Sequence, residues 1–405
     1  MKKIYYIAAV FATLFLAGCG DGIDLPGVNV ETDLNKIPLP DNNVNLEQVE
    51  LKPSTEPMLH EGLHTEADFQ RIRDKKAAGE EPWVSAYQLL VESQFSQKTA
   101  DTYPTEWIKR GISGDENYMN AARGATIAYQ QALRWKIEQD DEYAAKAVEN
   151  LNKWVQTCVG VTGNTNLSLA AGLYGYEFAI AGELLRDYGG WDRADFAAFQ
   201  NWLLKVFYPA NDDFLKRHHD TNALHYWANW CLCNIAAKMA IGIVTDRRDI
   251  YNEGIDHLQT GDTNGRLRRA IYHDYAPDYN FAQWQESGRD QGHTLMCVGL
   301  MGIICQLAWS QGDDFFAYDD NLFMRACEYA ACCNYTNETV PYTTYIWQKQ
   351  SQWGYPIPEE QTALGDGKWI KRAIWALPYY HYKGVKNISD DNLKPKIRNY
   401  HPIHD

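Results

Sequence analysis

Positive charge is scarce in this sequence. Its 38 Lys and Arg stand against 53 Asp and Glu, for a net charge of −15. Nucleic acid is excluded as a partner on that ground, because a polyphosphate needs a basic field. A polyanionic glycan is not excluded, since net charge governs long-range steering and a local arginine cluster sets the potential inside a cleft. No Cys-x-x-Cys, His-Glu-x-x-His, Gly-x-Ser-x-Gly, phosphate loop or dinucleotide fingerprint occurs, so neither a metal nor a cofactor is expected. Period-two alternation is rare, which leaves strands a minor part, and no repeat of about 34 residues marks a tetratricopeptide array.

The chain begins with Lys2 and Lys3, a short apolar run from Ile4 to Phe15, and Leu16-Ala17-Gly18-Cys19. The run is too short to cross a bilayer, and the small residues before Cys19 form a lipoprotein cleavage pattern. The expectation is a signal peptide over 1–18, acylation at Cys19, and an extracytoplasmic protein anchored to a membrane by lipid. Residues 19–58, rich in Asp, Asn, Pro and Val, read as a flexible tether, with one folded domain over 59–405. Most of the other eight cysteines lie in apolar helical stretches and behave as small buried hydrophobes; a disulfide framework is not expected in a chain this large, while an oxidising compartment leaves one or two bridges open.

Segment 118–158 carries Ala121, Ala125, Ala128, Ala132 and Trp135 at three- and four-residue steps. A polar break at 139–142 and a second helical run to Val155 follow. Such pairs recur: Phe178–Tyr188 with Trp191–Phe207, then Ala223–Val244, Asp290–Gln311, Leu322–Cys333 and Lys368–Tyr380. The pattern predicts an all-α chain built as a single α/α toroid of antiparallel helix hairpins. The 14 Trp and 26 Tyr suit a sugar-binding cleft, although most will be core.

The densest polar stretch runs from Asn222 to His293. It holds Asn222, His225, Tyr226 and Trp227, then Arg266, Arg268, Arg269, Tyr272, His273, Asp274 and Tyr275, then Glu286, Arg289, Asp290 and His293. β-Elimination across a uronate needs a group that neutralises the carboxylate, a base for the C5 proton and an acid for the departing oxygen. Asn or Arg suits the first task; His and Tyr suit the others. The candidates are Tyr272, His225, Asn222 and Arg266 for catalysis, with His273, Glu286, Arg289 and His293 for substrate binding. Glu286, Arg289 and His293 fall at i, i+3 and i+7, the spacing of one helical face, from which they would either bind substrate or form an ion-pair network that fixes the cleft wall.

From about His60 to Tyr342 the chain resembles the alginate-lyase family of helical-toroid polysaccharide lyases. The resemblance rests on His64-Thr-Glu-Ala-Asp-Phe69 with Glu81-Pro82-Trp83, on Asn229-Trp230, on Gln285-Glu286-Ser-Gly-Arg289-Asp290-Gln-Gly-His293, and on Ala308-Trp309-Ser-Gln-Gly312-Asp313. It implies a polyuronate substrate, Tyr as acid and base, and His, Asn and Arg on the carboxylate. Arg266 and Tyr272-His273-Asp274-Tyr275 match one family motif with the Arg-to-Tyr spacing shorter by one. In the other, Asn-Asn-His-x-Tyr-Trp, Asn222 and Tyr226-Trp227 align. Ala223 and Leu224 replace the second Asn and the His, and His225 is displaced by one residue. His218, His219 and His293 are the alternatives for the His role. Two other readings stay open, a glycoside hydrolase working with two carboxylates and a non-catalytic glycan-binding lipoprotein.

Overall fold

A computed structural model describes residues 55–351 and 354–388; the signal peptide, Cys19 and nearly all of the tether lie outside them. In chain order the helices and strands are α1 (Glu66–Ala77), α2 (Trp83–Glu92), β1 (Trp107–Arg110), α3 (Tyr118–Glu138), α4 (Asp141–Thr157), β2 (Gly160–Gly163) and α5 (Leu167–Leu184). They continue through α6 (Arg193–Val206), α7 (Tyr208–Arg217), α8 (Ala228–Val244), α9 (Arg248–Thr260), α10 (Leu267–Ala270), β3 (Ile271–Asp274), β4 (Ala282–Trp284) and α11 (Gln291–Ser310). The chain closes with α12 (Tyr318–Tyr335), β5 (Tyr345–Gln350), β6 (Pro356–Gln361) and α13 (Ala376–Tyr380).

The described residues are mostly helical, with three two-stranded sheets among them: β1 parallel to β2, β3 antiparallel to β4, and β5 antiparallel to β6. At four of the α-helix starts the N-cap side chain accepts a backbone amide. Thr65 and Asp68 form a capping box on α1, Asp140 caps α4, Asp192 caps α6 and Asp290 caps α11. The break between α3 and α4 falls at Gln139, whose φ of 58° turns the chain back.

Two kinds of helix result. α5, α8 and α11 are buried on almost every side and form an inner layer in which α3 packs on α5, α5 on α8 and α8 on α11. α4 and α9 bury one face only, and cover α3 and α8 from outside. Close approach needs glycine: a Cβ at Gly124 would come within 2.2 Å of the Trp154 ring, and one at Gly242 within 2.6 Å of the Tyr251 backbone. α11 is long and apolar enough to span a membrane, but its sides are buried in this core. All eight cysteines of the described residues are buried, and no two of them form a disulfide.

Three expectations need correction. Residues 223–227 are not helical, because Trp227 is extended and α8 begins at Ala228. The Lys368–Tyr380 stretch is helical only from Ala376. Met58, placed in the tether, is buried in the core, and the carbonyls of Glu56 and Pro57 accept bonds from Arg248.

Candidate active site

The starts of the inner helices gather at one end of the molecule. β1 leads into α3 and β2 into α5, and their parallel pairing sets those two starts side by side. Gln285 and Glu286, just ahead of α11, accept from the amides of Ala228 and Asn229 at 3.0 and 3.1 Å and so cap α8. Four partly positive helix ends therefore border one region, a setting that favours an anion.

The loop before α8 is held by a strand far along the chain. Asn222 donates its side-chain amide to the Gln348 carbonyl (3.1 Å) and to Gln350 Oε1 (2.9 Å), while its Oδ1 accepts from the Leu224 amide. The Asn222 amide is thus fully committed to joining this loop to β5. His225 Nδ1 accepts from the Gln350 amide at 2.8 Å, and the carbonyl of His225 accepts from Trp347 Nε1 at 2.7 Å. Trp347 stacks on Trp227 with centroids 4.5 Å apart. Burial lowers the His225 pKa to about 4, helped by the charge of Lys349. The ring is therefore neutral, and with Nδ1 accepting, its proton sits on Nε2. The one-residue displacement of His225 is not a turn of about 100° around a helix, since the loop carrying it is not helical.

The second segment is clamped to the first. Asn264 donates to the carbonyls of Leu224 and Tyr226 at 3.0 and 2.9 Å, which brings Arg266, at the start of α10, to the loop carrying His225. On β3, Tyr272 donates its hydroxyl to the Thr343 carbonyl, and its ring lies 4.8 Å from Tyr345. Tyr275 donates to Gln283 Oε1 (2.5 Å) or Thr343 Oγ1 (3.1 Å). Burial raises the pKa of both phenols, so both are protonated at neutral pH. His273 is half-buried and its pKa is lowered by that burial. Arg268 is turned away to Asp319, and Arg325 pairs with Asp274 at 2.7 Å.

Glu286, Arg289 and His293 do not share a helix face. Residues 285–288 form a 3-10 turn, Asp290 is extended, and α11 starts only at Gln291. Each side chain then takes a different partner. Glu286, wholly buried, serves the start of α8; Arg289 reaches Glu286 at 3.5 Å and lies over the Trp227 ring; His293 Nδ1 bonds Asp290 at 2.5 Å. No cluster of metal-binding side chains occurs among the described residues.

One feature was only held in reserve by the sequence. His218, His219 and Asp220 are three successive non-glycine residues at φ 49°, 53° and 60°, a conformation that costs energy and collects at working sites. The ring of His219 bonds Ser168 Oγ at 2.9 Å and the backbone of Thr165, and its pKa is lowered by burial. Tyr226, on whose ring His219 rests at 5.7 Å, also bonds Thr165. The partners from α5 and the whole β5 strand carry no motif of their own, and only the fold brings them here.

One end of the helical scaffold thus carries arginine, histidine and tyrosine together, and the family match places the enzyme among the polysaccharide lyases. The profile of the Alginate lyase family matches residues 73–339, and the chain belongs to that family. An alginate lyase from Bacteroides ovatus is 14% identical with a TM-score of 0.57, covering 85% of this chain and 97% of its own. Two variants of alginate lyase A1-III, an enzyme from Sphingomonas species A1, also align. One, complexed with a tetrasaccharide, is 15% identical with a TM-score of 0.50, covering 68% of this chain and 79% of its own. The other, an apo form, is 14% identical with a TM-score of 0.51, covering 82% and 90%. No curated protein matches the chain.

Proposed function

We propose that this lyase cleaves a uronic-acid-containing glycan, alginate or a related polyuronate such as glucuronan, by β-elimination on an α/α-toroid scaffold. The observation that carries this reading is the meeting of three segments, 218–227, 263–275 and 343–350, with Arg266, His225 and Tyr272 among them. Arg266 and the Nε2–H of His225 neutralise the substrate carboxylate, which acidifies the C5 proton. Tyr272 takes that proton as phenolate and returns it to the departing oxygen. Burial opposes the phenolate, so a cationic neighbour must favour it once substrate excludes water. Asn222 leaves the chemistry and becomes the brace between loop and strand. His273 and Arg289 stand beside the substrate path, whereas Glu286 and His293 hold the helix starts that border it. His219 is the alternative for the His role.

Acylated Cys19 anchors the protein outside the cytoplasm in this reading; Cys19→Ala should release it from membranes in soluble form, and unchanged membrane partitioning would contradict the anchor. The reaction itself is tested by adding purified protein to polymannuronate, polyguluronate and glucuronan and following the ultraviolet absorbance of the unsaturated product. Growth of that absorbance on at least one of them supports the reading. Cleavage that leaves saturated ends would replace it with hydrolysis.

A further inference from the structure

Arg110 is the last residue of β1, and the alternation of that strand turns it inward: the residue is 6% exposed. Its Nη1 is completely buried and has no hydrogen-bond partner, and the guanidinium makes no hydrogen bond or ion pair with any described residue. The guanidinium lies on the face of Tyr118, with Cζ 4.6 Å from the ring centroid. Tyr118 in turn stacks on Tyr174, whose hydroxyl is also buried without a partner. Two unpaired donors thus sit together where β1, α3 and α5 meet. A buried cation without an anion is costly, and other buried arginines of this protein are paired, Arg134 with Glu138 and Arg325 with Asp274.

The place of Arg110 in the fold connects it to the candidate site. Gly111, at φ 81°, has no room for a Cβ, which would fall 1.8 Å from Asn164 Oδ1, and Gly163 at φ 146° would meet the carbonyl of Arg110 at 1.7 Å. Both glycines therefore let β1 close against the loop 163–166. The next residue in that loop is Thr165, which bonds both His219 and Tyr226. From Arg110 to the strained histidines the structure is one continuous wall.

We infer that Arg110, backed by Tyr118 and Tyr174, is a carboxylate-binding subsite that takes a uronate unit of the glycan beyond the bond being cleaved. This rests on the polyuronate reading of the site. A guanidinium donates two parallel hydrogen bonds to a carboxylate, and with one face on the Tyr118 ring its Nη1 has no protein partner that an anion would have to displace. An arginine kept only for structure would instead be matched by an acid or by carbonyls of its own chain.

The experiment uses the full chain carrying Tyr272→Phe, so that the ligand is not consumed, and measures calorimetrically the binding of a tetrauronate and of its neutral methyl ester. Adding Arg110→Gln should weaken the tetrauronate by about tenfold or more, as for a charge-assisted contact, and leave the ester unchanged. Arg110→Lys should recover part of the loss. Thermal melting of Arg110→Gln and of Arg110→Met should be unchanged or higher, because an uncompensated buried charge has gone. Equal tetrauronate affinity with and without Arg110, or equal weakening of acid and ester with a fall in melting temperature, would overturn the subsite. The two readings fail separately. Unsaturated product formed at an unchanged KM by the single variant Arg110→Gln removes the subsite and keeps the lyase. Arg110-dependent tetrauronate binding by a wild-type protein that makes no unsaturated product keeps the subsite and removes the lyase.

Discussion

Two walls border the candidate site, and they differ in how completely their polar groups are matched. On the wall made by the loop 221–227, β3 and β5, the side chains named for the chemistry have protein partners, Asn222 with Gln348 and Gln350, His225 with Gln350 and Trp347, Tyr272 with Thr343, and the orphaned atom there is the uncharged Gln348 Oε1. On the wall made by β1, the start of α5 and the loop 218–220, a guanidinium and a phenol are buried without partners and three residues hold left-handed backbone. The first is built to stand by itself. The second carries unmatched polarity and strain, which natural folds keep where a ligand will repay it. A side chain's motif membership therefore says less about its role than what is already bonded to it.

The largest effect that separates the walls should come from Tyr272→Phe. Turnover on polyuronate should fall about 10²–10⁴-fold, roughly 2.7–5.4 kcal/mol of barrier, while stability changes by about 1 kcal/mol for one hydrogen bond. Initial rate and melting temperature from one preparation check this. Normal turnover would move Tyr272 to the structural side and make Tyr275 or Tyr226 the next candidate.

Glu286→Ala should act in the opposite sense, on the fold. It removes a fully buried carboxylate that caps α8 and holds Arg289, and breaking a buried pair costs about 3–5 kcal/mol. Chemical denaturation measures it. A variant of wild-type stability and no activity would return Glu286 to the substrate.

Asn222→Ala should be milder, about 1–2 kcal/mol for lost side-chain bonds that tie the loop to β5. The rate should fall only as far as His225 is loosened. A loss as deep as that of Tyr272→Phe, without loss of stability, would restore Asn222 to the chemistry.

pH should act on the stability of both walls together. Burial lowers His64, His218 and His225 to about 4 from an ordinary 6.5. Between those values the unfolded chain binds protons that the native state refuses. Their neutrality thus costs nothing above about pH 6.5, and stability should decline as pH falls from 6.5 toward 4. Melting temperature against pH reads it, and a flat profile across that window would contradict the burial of these rings. The raised Tyr272 phenol has the opposite consequence for rate. If it works as phenolate, turnover should keep rising with pH through the neutral range.

Much of this was legible in the sequence, for reasons that differ by element. The helical period and polar break at 118–158 placed α3 and α4 well, because a helix that buries one face writes its period into the chain. Arg266 and Tyr272 stood out because their motif is local. The stretch 223–227 misled, since its aromatic residues continue the apolar pattern of α8, yet His225 and Trp227 are spent on stacking against Trp347 and Tyr226 against Phe214 and Trp230. The common helix face of Glu286, Arg289 and His293 failed at Asp290, whose extended backbone caps α11 and breaks the spacing. Arg110 and β5 left no signal, because the partner of a strand or the lack of a partner for an arginine is decided by residues far away in sequence.

The most direct test of the central claim is the ultraviolet absorbance of purified wild-type protein with polymannuronate, polyguluronate and glucuronan, run beside Tyr272→Phe. The expected result is a steady rise on at least one polymer, from a carbon–carbon double bond conjugated to the uronate carboxylate, and almost none with the variant. Chain shortening with no absorbance change on any of the three would contradict elimination.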